Sequence, residues 1–317
     1  MNPLLPVPDQ GRRRLAATSS RHGQPDASTA VPRHWIKPQL SAVTSLDYAA
    51  DTLAAAGGQV CCVWSTESHA MVMRIVEPAS IRCVALSRDG KYLAMGAGLV
   101  VRLYRLDTGA LCFEYLHLAP VCSVHFAAEE RLLASAGIDG GIQVRNLDTG
   151  TLTMHAMHRS GGSVVFLERR GRFVVSESPT DLQFIDISKG QVLRRFSHTE
   201  EPVASEPNRC IGQLLIAYSG TAVRLFDAAR SSSACFKVIT FGSPVTSVDI
   251  SADETVFLVT TQQGNIEYYD MLDGTWIAAQ DSFTSPLWGA KFGRGRSIYV
   301  STVNILDGKE AVFGQIS

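Results

Sequence analysis

From residue 41 onward the chain keeps returning to an apolar residue that opens a short alternating run. The openings are Val43, Ile81, Val121, Val164, Val203, Val245 and Leu287, separated by 38, 40, 43, 39, 42 and 42 residues. A drifting period of about 40 residues is the length of one four-stranded sheet unit in a radially repeated β protein. A helical solenoid of similar period would need long runs at 3.6-residue spacing, and none is present. The 317 residues are therefore read as one repeated domain, although length alone would allow two.

Each unit has the same internal order. An alternating strand such as Val121-Cys122-Ser123-Val124-His125-Phe126 is followed by a small-residue strand such as Leu132-Leu133-Ala134-Ser135-Ala136. A tight turn, a third apolar strand, a second turn and an outer strand complete it. The second turn is nearly verbatim in two units, Leu106-Asp107-Thr108-Gly109 and Leu147-Asp148-Thr149-Gly150. The last unit has only three strands of its own. The stretch Trp35-Ile36-Lys37-Pro38-Gln39-Leu40 is expected to supply the fourth and cover the sheet edge. Pro38 cannot donate to a ladder, which places that strand outermost. The expected fold is thus all-β: a seven-bladed β-propeller of four-stranded antiparallel blades, its ring closed by an N-terminal strand.

Residues 1–31 differ from the rest. They carry Pro3, Pro6, Pro8, Pro25, the run Arg12-Arg13-Arg14 and several small polar residues, without apolar periodicity. Such a stretch buries too little surface to offset its ordering entropy and is read as a disordered basic tail, with a targeting or docking segment as the alternative. Residues 32–317 form the expected propeller. The formal net charge of −1 gives no global reason to bind nucleic acid or an anionic membrane. Seven cysteines, an odd number with no Cys-x-x-Cys pair, point to free thiols in a reducing compartment, cytoplasm or nucleus. No apolar run approaches the ~20 residues needed to span a bilayer as a helix.

The units resemble the WD40-repeat family over about residues 32–317. The family's signature is a Trp-Asp pair closing the third strand. Here those positions hold Trp64-Ser65, Tyr104-Arg105, Arg145-Asn146, Ile185-Asp186, Phe226-Asp227 and Tyr269-Asp270, so no pair is intact. The nearest equivalents of the family's Gly-His pair are Leu116-His117 and Ser197-His198. In the third unit His117, Ser135 and Asp139 match the His, Ser/Thr and Asp of a buried polar network, with Arg145 where an aromatic would complete it. The resemblance implies a partial network there and apolar packing in the other blades.

Candidate chemistry is sparse. Met154-His155-Ala156-Met157-His158 offers two histidines three apart, which point to opposite faces of a strand and so do not make a metal site. Ser160-Gly161-Gly162-Ser163 lacks the Lys-Ser/Thr and helix of a phosphate-binding loop. Asp107, Asp148, Asp186, Asp227 and Asp270 recur because turns and strand ends favour aspartate, and are read as turn formers. Arg102, Arg105, Arg145, Arg224, Arg294 and Arg296 are spread over several blades, without the concentrated excess expected of a nucleic-acid binder.

No catalytic residue, metal or cofactor is expected. The leading reading is a protein-binding scaffold, a subunit that holds peptides or partner subunits on its loop faces. The alternatives are an RNA- or chromatin-associated subunit with a local nucleic-acid contact, or a propeller enzyme. Phe241 and Phe283 are the expected aromatic anchors, with burial between blades as the alternative for both. Leu118, Glu200 and Glu201 are the other expected contacts on the same loops.

Overall fold

The computed structural model of the chain describes residues 34–36, 40, 43–127, 131–158, 162, 164–166, 173–177, 181–197, 210–211, 214–227, 237–251, 253, 255–280, 283, 286–293, 297–303 and 311–316. Among them the chain forms β-strands and turns, arranged as seven four-stranded antiparallel sheets. After a short strand β1 (His34–Ile36), blade 1 is β2 (Ser45–Ala49), β3 (Thr52–Gly57), β4 (Val60–Ser65) and β5 (Met71–Val76). Blade 2 is β6 (Ile81–Leu86), β7 (Tyr92–Ala97), β8 (Val100–Arg105) and β9 (Leu111–Leu116). Blade 3 is β10 (Val121–Phe126), β11 (Leu132–Gly137), β12 (Gly141–Asn146) and β13 (Leu152–Met157). Blade 4 is β14 (Val164–Phe166), β15 (Phe173–Glu177), β16 (Asp181–Asp186) and β17 (Gln191–Ser197). Blade 5 is β18 (Cys210–Ile211), β19 (Leu214–Ser219), β20 (Ala222–Asp227) and β21 (Lys237–Thr240). Blade 6 is β22 (Val245–Ile250), β23 (Val256–Thr261), β24 (Ile266–Asp270) and β25 (Trp276–Gln280). Blade 7 is β26 (Leu287–Phe292), β27 (Ile298–Val303) and β28 (Ala311–Ile316), with β1 as its outer strand.

The borrowed strand is His34–Ile36, which pairs antiparallel with β28 through His34↔Gln315, Trp35↔Gly314 and Ile36↔Phe313. Of the expected Trp35–Leu40, Lys37, Pro38 and Gln39 lie outside the described residues. Val203 lies outside the described residues, and the first strand of blade 5 is Cys210–Ile211. Pro202 and Pro207, which cannot donate to a ladder, flank the expected site. Residues 1–31, Glu200 and Glu201 also lie outside the described part.

The small-residue second strands let blades approach closely. A Cβ on Gly96 of β7 would stand 2.6 Å from both the Cys83 sulfur and a Val121 methyl of the next blade. The core runs between blades rather than inside one. One buried cluster joins Cys83, Ala94 and Leu103 of blade 2 to Val121, Val124 and Leu133 of blade 3, and another joins Ala54 and Val63 to Ile81 and Met95.

A repeated polar clasp reinforces this packing. On three innermost strands, two side chains accept backbone N–H groups from the innermost strand of the next blade. Ser45 Oγ accepts from Val84 (3.1 Å) and Asp47 from Leu86 (2.8 Å). Ser123 Oγ accepts from Val164 (3.1 Å) and His125 Nδ1 from Phe166 (3.3 Å). Ser247 Oγ accepts from Ala290 (2.9 Å) and Asp249 from Phe292 (2.8 Å). In β6 the corresponding residues are Cys83 and Ala85, and the contact with blade 3 is apolar. Lys291 of β26 lies between its neighbours' carboxylates, 3.9 Å from Asp47 and 3.7 Å from Asp249, so blade 7 meets blades 1 and 6 through opposite charges. Ser247→Ala orphans the buried N–H of Ala290 and is expected to cost about 1–3 kcal/mol, read as a shift in the urea midpoint. A change within error would mean that the clasp carries no stability.

Candidate functional site

In blades 1, 2, 3, 5 and 6 the turn between the second and third strands, the end of the outer strand and the start of the loop to the next blade share one end of the sheet. They build one face of the propeller. The loop is tied down by its first residue, whose N–H bonds to the turn of its own blade. Glu77 donates to Gln59 O (2.8 Å), His117 to Leu99 O (2.9 Å), His158 to Gly140 O (2.8 Å), Phe241 to Thr221 O (2.7 Å) and Phe283 to Gly264 O (3.2 Å). These five residues therefore occupy one structural position with different side chains.

At that position the side chain turns inward. Phe283 is 6% exposed and packs with Leu258, Ile266, Leu287 and Ala290, so it is a core residue and not a surface anchor. Phe241 is half-buried, edge-on to Tyr269 with ring centroids 6.0 Å apart. Both sit where His117 sits, a position whose anchoring N–H holds the side chain against the sheet. The sequence carried a signal for this: Glu77, His117, Phe241 and Phe283 each stand four residues ahead of a unit opening.

The network around His117 joins blades 2 and 3. His117 Nε2 is 2.8 Å from Ser135 Oγ, and the Tyr115 hydroxyl donates to the same Oγ at 2.9 Å. Asp139 folds back to accept the Gly141 N–H at 3.0 Å. A Cβ on Gly137 would meet its Oδ1 at 2.7 Å and His117 Nδ1 at 3.3 Å, so only glycine leaves the two room. Arg145 lies over the Tyr115 ring, 4.2 Å from its centroid, and hydrogen-bonds Gln143 Oε1 and Gly150 O. Tyr115 thus brings an aromatic to the set from the preceding blade, a member that the sequence pattern did not single out. Burial lowers His117 to about 4, partly offset by the Asp139 charge, which keeps the imidazole neutral at pH 7.

Glu77 plays the corresponding part between blades 1 and 2. Its buried carboxylate pairs with the Arg102 guanidinium and accepts from the Tyr104 hydroxyl at 3.1 Å, while Arg102 Nε also reaches Glu114 at 2.8 Å.

The remaining candidates resolve into structural roles. Asn146, Asp186 and Asp270 each accept the N–H two residues on, at 2.8–2.9 Å, and so shape the second turn. Asp107 pairs with Arg105 and Asp148 with Arg131. His155 is exposed and His158 buried, on either side of the end of β13. Among the described residues no group of three His, Cys, Asp or Glu could hold a metal, and no helix is long and apolar enough to cross a membrane. Burial raises the thiols of Cys61, Cys62, Cys83, Cys112 and Cys122, so none is held as a reactive thiolate. Arg102, Arg105 and Arg145 are engaged by the protein's own acceptors.

Among the described residues, what the face offers is apolar surface on blades 1–3. Leu118, in the loop after His117, is 90% exposed. Around it Leu99 and Ile138 stand exposed in the turns, and Val76, Leu116 and Met157 stand exposed at the ends of β5, β9 and β13. In blades 5 and 6 the corresponding turn and strand-end residues are Thr221, Gln262, Thr240 and Gln280. An apolar residue in a two- or three-residue turn has no core within reach, a signal already present in Gly98-Leu99-Val100 and Ile138-Asp139-Gly140.

No protein-family model matches the chain. A curated relative, COMPASS component SWD3 of Saccharomyces cerevisiae, is 22% identical over 207 residues, which are 61% of this chain and 65% of that protein. The matched region thus spans somewhat under two thirds of the relative's length. A chain in a crystal structure of the mitotic checkpoint complex superposes with a TM-score of 0.76 over 100% of this chain and 98% of its own, at 17% identity. Four-stranded antiparallel blades, a strand borrowed from the N-terminal side and a partly retained His–Ser–Asp network agree with these likenesses: the chain has the β-propeller fold of the WD40-repeat proteins, which it resembles as a divergent sequence.

Proposed function

We propose that the chain is a non-enzymatic interaction scaffold of the cell interior, cytoplasm or nucleus, a subunit that takes peptides or partner proteins on the blade 1–3 side of this face. One observation carries the reading. The same structural positions are apolar and exposed on blades 2 and 3 and polar on blades 5 and 6. A patch of this kind, bordered by polar surface, is where a protein partner gains most by excluding water. The named likenesses, a component of COMPASS and a chain of the mitotic checkpoint complex, are parts of multiprotein assemblies and support it. Leu118 is the central contact of the proposed patch.

Leu118→Asp with Ile138→Asp in the full chain is expected to weaken co-purification of its specific partners by more than about tenfold, the scale of one lost hot spot. The melting temperature should stay within about 2 °C, since neither side chain is in the core. Undiminished capture by the double variant would remove this face from the proposal. Binding that falls steeply with salt and survives the double variant would point to nucleic acid instead.

A further inference from the structure

Several innermost strands begin with a bulge, one residue more than the ladder pairs. The register shifts at Arg82, between Ile81 and Cys83, and likewise at Cys122, Thr246 and Trp288. Thr44 stands at the same place in blade 1, where its N–H bonds to Ala56 O at 2.8 Å ahead of the Ser45–Ala56 pair. A bulge turns one side chain out of the ladder and re-aims it. In blades 1, 3 and 6 that side chain bonds straight back to the protein. Thr44 Oγ1 donates to Ala56 O (3.2 Å) or Ile81 O (2.8 Å), and Cys122 Sγ to Ala136 O (3.4 Å) or Gly162 O (3.1 Å). Thr246 Oγ1 shares a hydrogen bond of 2.8 Å with Thr260 Oγ1.

Arg82 breaks this pattern. It is exposed and makes no hydrogen bond or ion pair among the described residues, whereas Arg102, Arg105, Arg131 and Arg145 are all engaged. Its charge opposes the effect of burial on the thiols of both Cys83 and Cys122, which places the cation at the junction of β6 and β10. The carboxylates of Glu77 and Asp139 on this part of the face are answered from within, by Arg102 and by the Gly141 N–H. The apolar patch begins beside Arg82. Ser80, just ahead of it, accepts the Gly98 N–H at 3.1 Å, and Pro120, just ahead of Cys122, accepts the Ile138 N–H at 2.9 Å. Leu99 therefore stands on the order of 10 Å from Arg82, a span that about three extended residues cover.

Resting on the patch proposed above, we propose that its occupant is an extended acidic–apolar segment of a partner protein. An aspartate or glutamate of the segment pairs with Arg82, and an apolar side chain about three residues away lies on Leu99, Leu118 and Ile138. A guanidinium presents two parallel N–H donors to one carboxylate, which suits it to this role better than to a neutral acceptor. Apolar contact alone would leave the partner's charge and direction open. An unanswered cation at one end of the patch sets both, because a basic segment, or the same segment reversed, would leave Arg82 without its acceptor.

The test selects from a random displayed peptide library on the full chain. Wild type is expected to select segments in which Asp or Glu stands about three residues from Leu, Ile, Met or Phe. A selected peptide is then synthesised with both ends blocked, so that no terminal carboxylate replaces the side chain, and its Kd is measured. Arg82→Glu should weaken it about tenfold or more, and lysine in place of the acid should restore binding to Arg82→Glu. The melting temperature of Arg82→Glu should stay within about 2 °C, since the side chain is exposed. Apolar peptides without an acid that bind wild type and Arg82→Glu alike would overturn the pairing and leave the patch standing. Acidic peptides that need Arg82 but ignore Leu118→Asp with Ile138→Asp would overturn the joint site, and the patch with it. Failure to select any peptide would also overturn the proposal, and single-stranded RNA binding lost in Arg82→Glu would then assign the cation to nucleic acid.

Discussion

Arg102→Ala is expected to destabilise the protein by about 3–5 kcal/mol, the range for removing one partner of a buried ion pair. Glu77 is buried at the junction of blades 1 and 2, and its backbone is fixed there by the bond to Gln59 O. Without the guanidinium its carboxylate keeps only the Tyr104 hydroxyl as a described side-chain donor. That hydroxyl is pushed up to about 12 by burial and by the Glu77 charge itself, so it remains a donor at neutral pH but supplies no positive charge. Glu114 then loses its partner as well, at small cost because it is exposed. Urea unfolding gives the value. Glu77→Leu combined with Arg102→Leu should cost much less than Arg102→Ala alone, since an apolar pair leaves no buried charge. A loss below about 1 kcal/mol in Arg102→Ala would show that water screens the pair.

The pair also shows where the sequence was legible and where it was not. Period and alternation placed the innermost strands of blades 2, 3, 4, 6 and 7, because a two-residue alternation and a repeat length are local properties. Val203, the opening read for blade 5, lies outside the described residues, and the first described strand of that blade is Cys210–Ile211, paired with β19. His117 and Ser135 were legible through the family's spacing. Tyr115 and Glu77 were not, because their partners belong to another blade, and a partner 20 or 25 residues away leaves no periodic trace. Phe283 illustrates a different failure. Residue type alone leaves a loop aromatic open to both readings, anchor or burial between blades, whereas its phase relative to the next opening matches that of His117 and favours burial. The exposed apolar turn residues Leu99 and Ile138 are readable in the same way, from their place in a short turn.

The network of blades 2 and 3 makes stability depend on pH in a defined window. In the unfolded chain His117 titrates near the ordinary value of about 6.5, and in the folded protein burial lowers it to about 4. Between these values the unfolded state binds the extra proton, so the contribution is complete above about pH 6.5 and is lost as the pH falls toward 4. The loss approaches about 3 kcal/mol, and below pH 4 this residue adds nothing further. Hydrogen bonding explains why the neutral form is preferred. Tyr115 donates to Ser135 Oγ, which leaves the serine hydrogen for the unprotonated Nε2 of His117 at 2.8 Å. A protonated ring would force that hydrogen toward Gln143 O, 3.5 Å away, and would bring a second cation into a region that already holds Arg145. His117→Gln has nothing to titrate. The difference in unfolding free energy between wild type and variant should be constant above pH 7 and should shrink by about 2–3 kcal/mol between pH 6.5 and 4.5, whatever the carboxylates do in both proteins. A difference that stays flat across that window would mean that His117 is as well solvated folded as unfolded. The link between blades 2 and 3 would then rest on Tyr115, Ser135 and Arg145 alone.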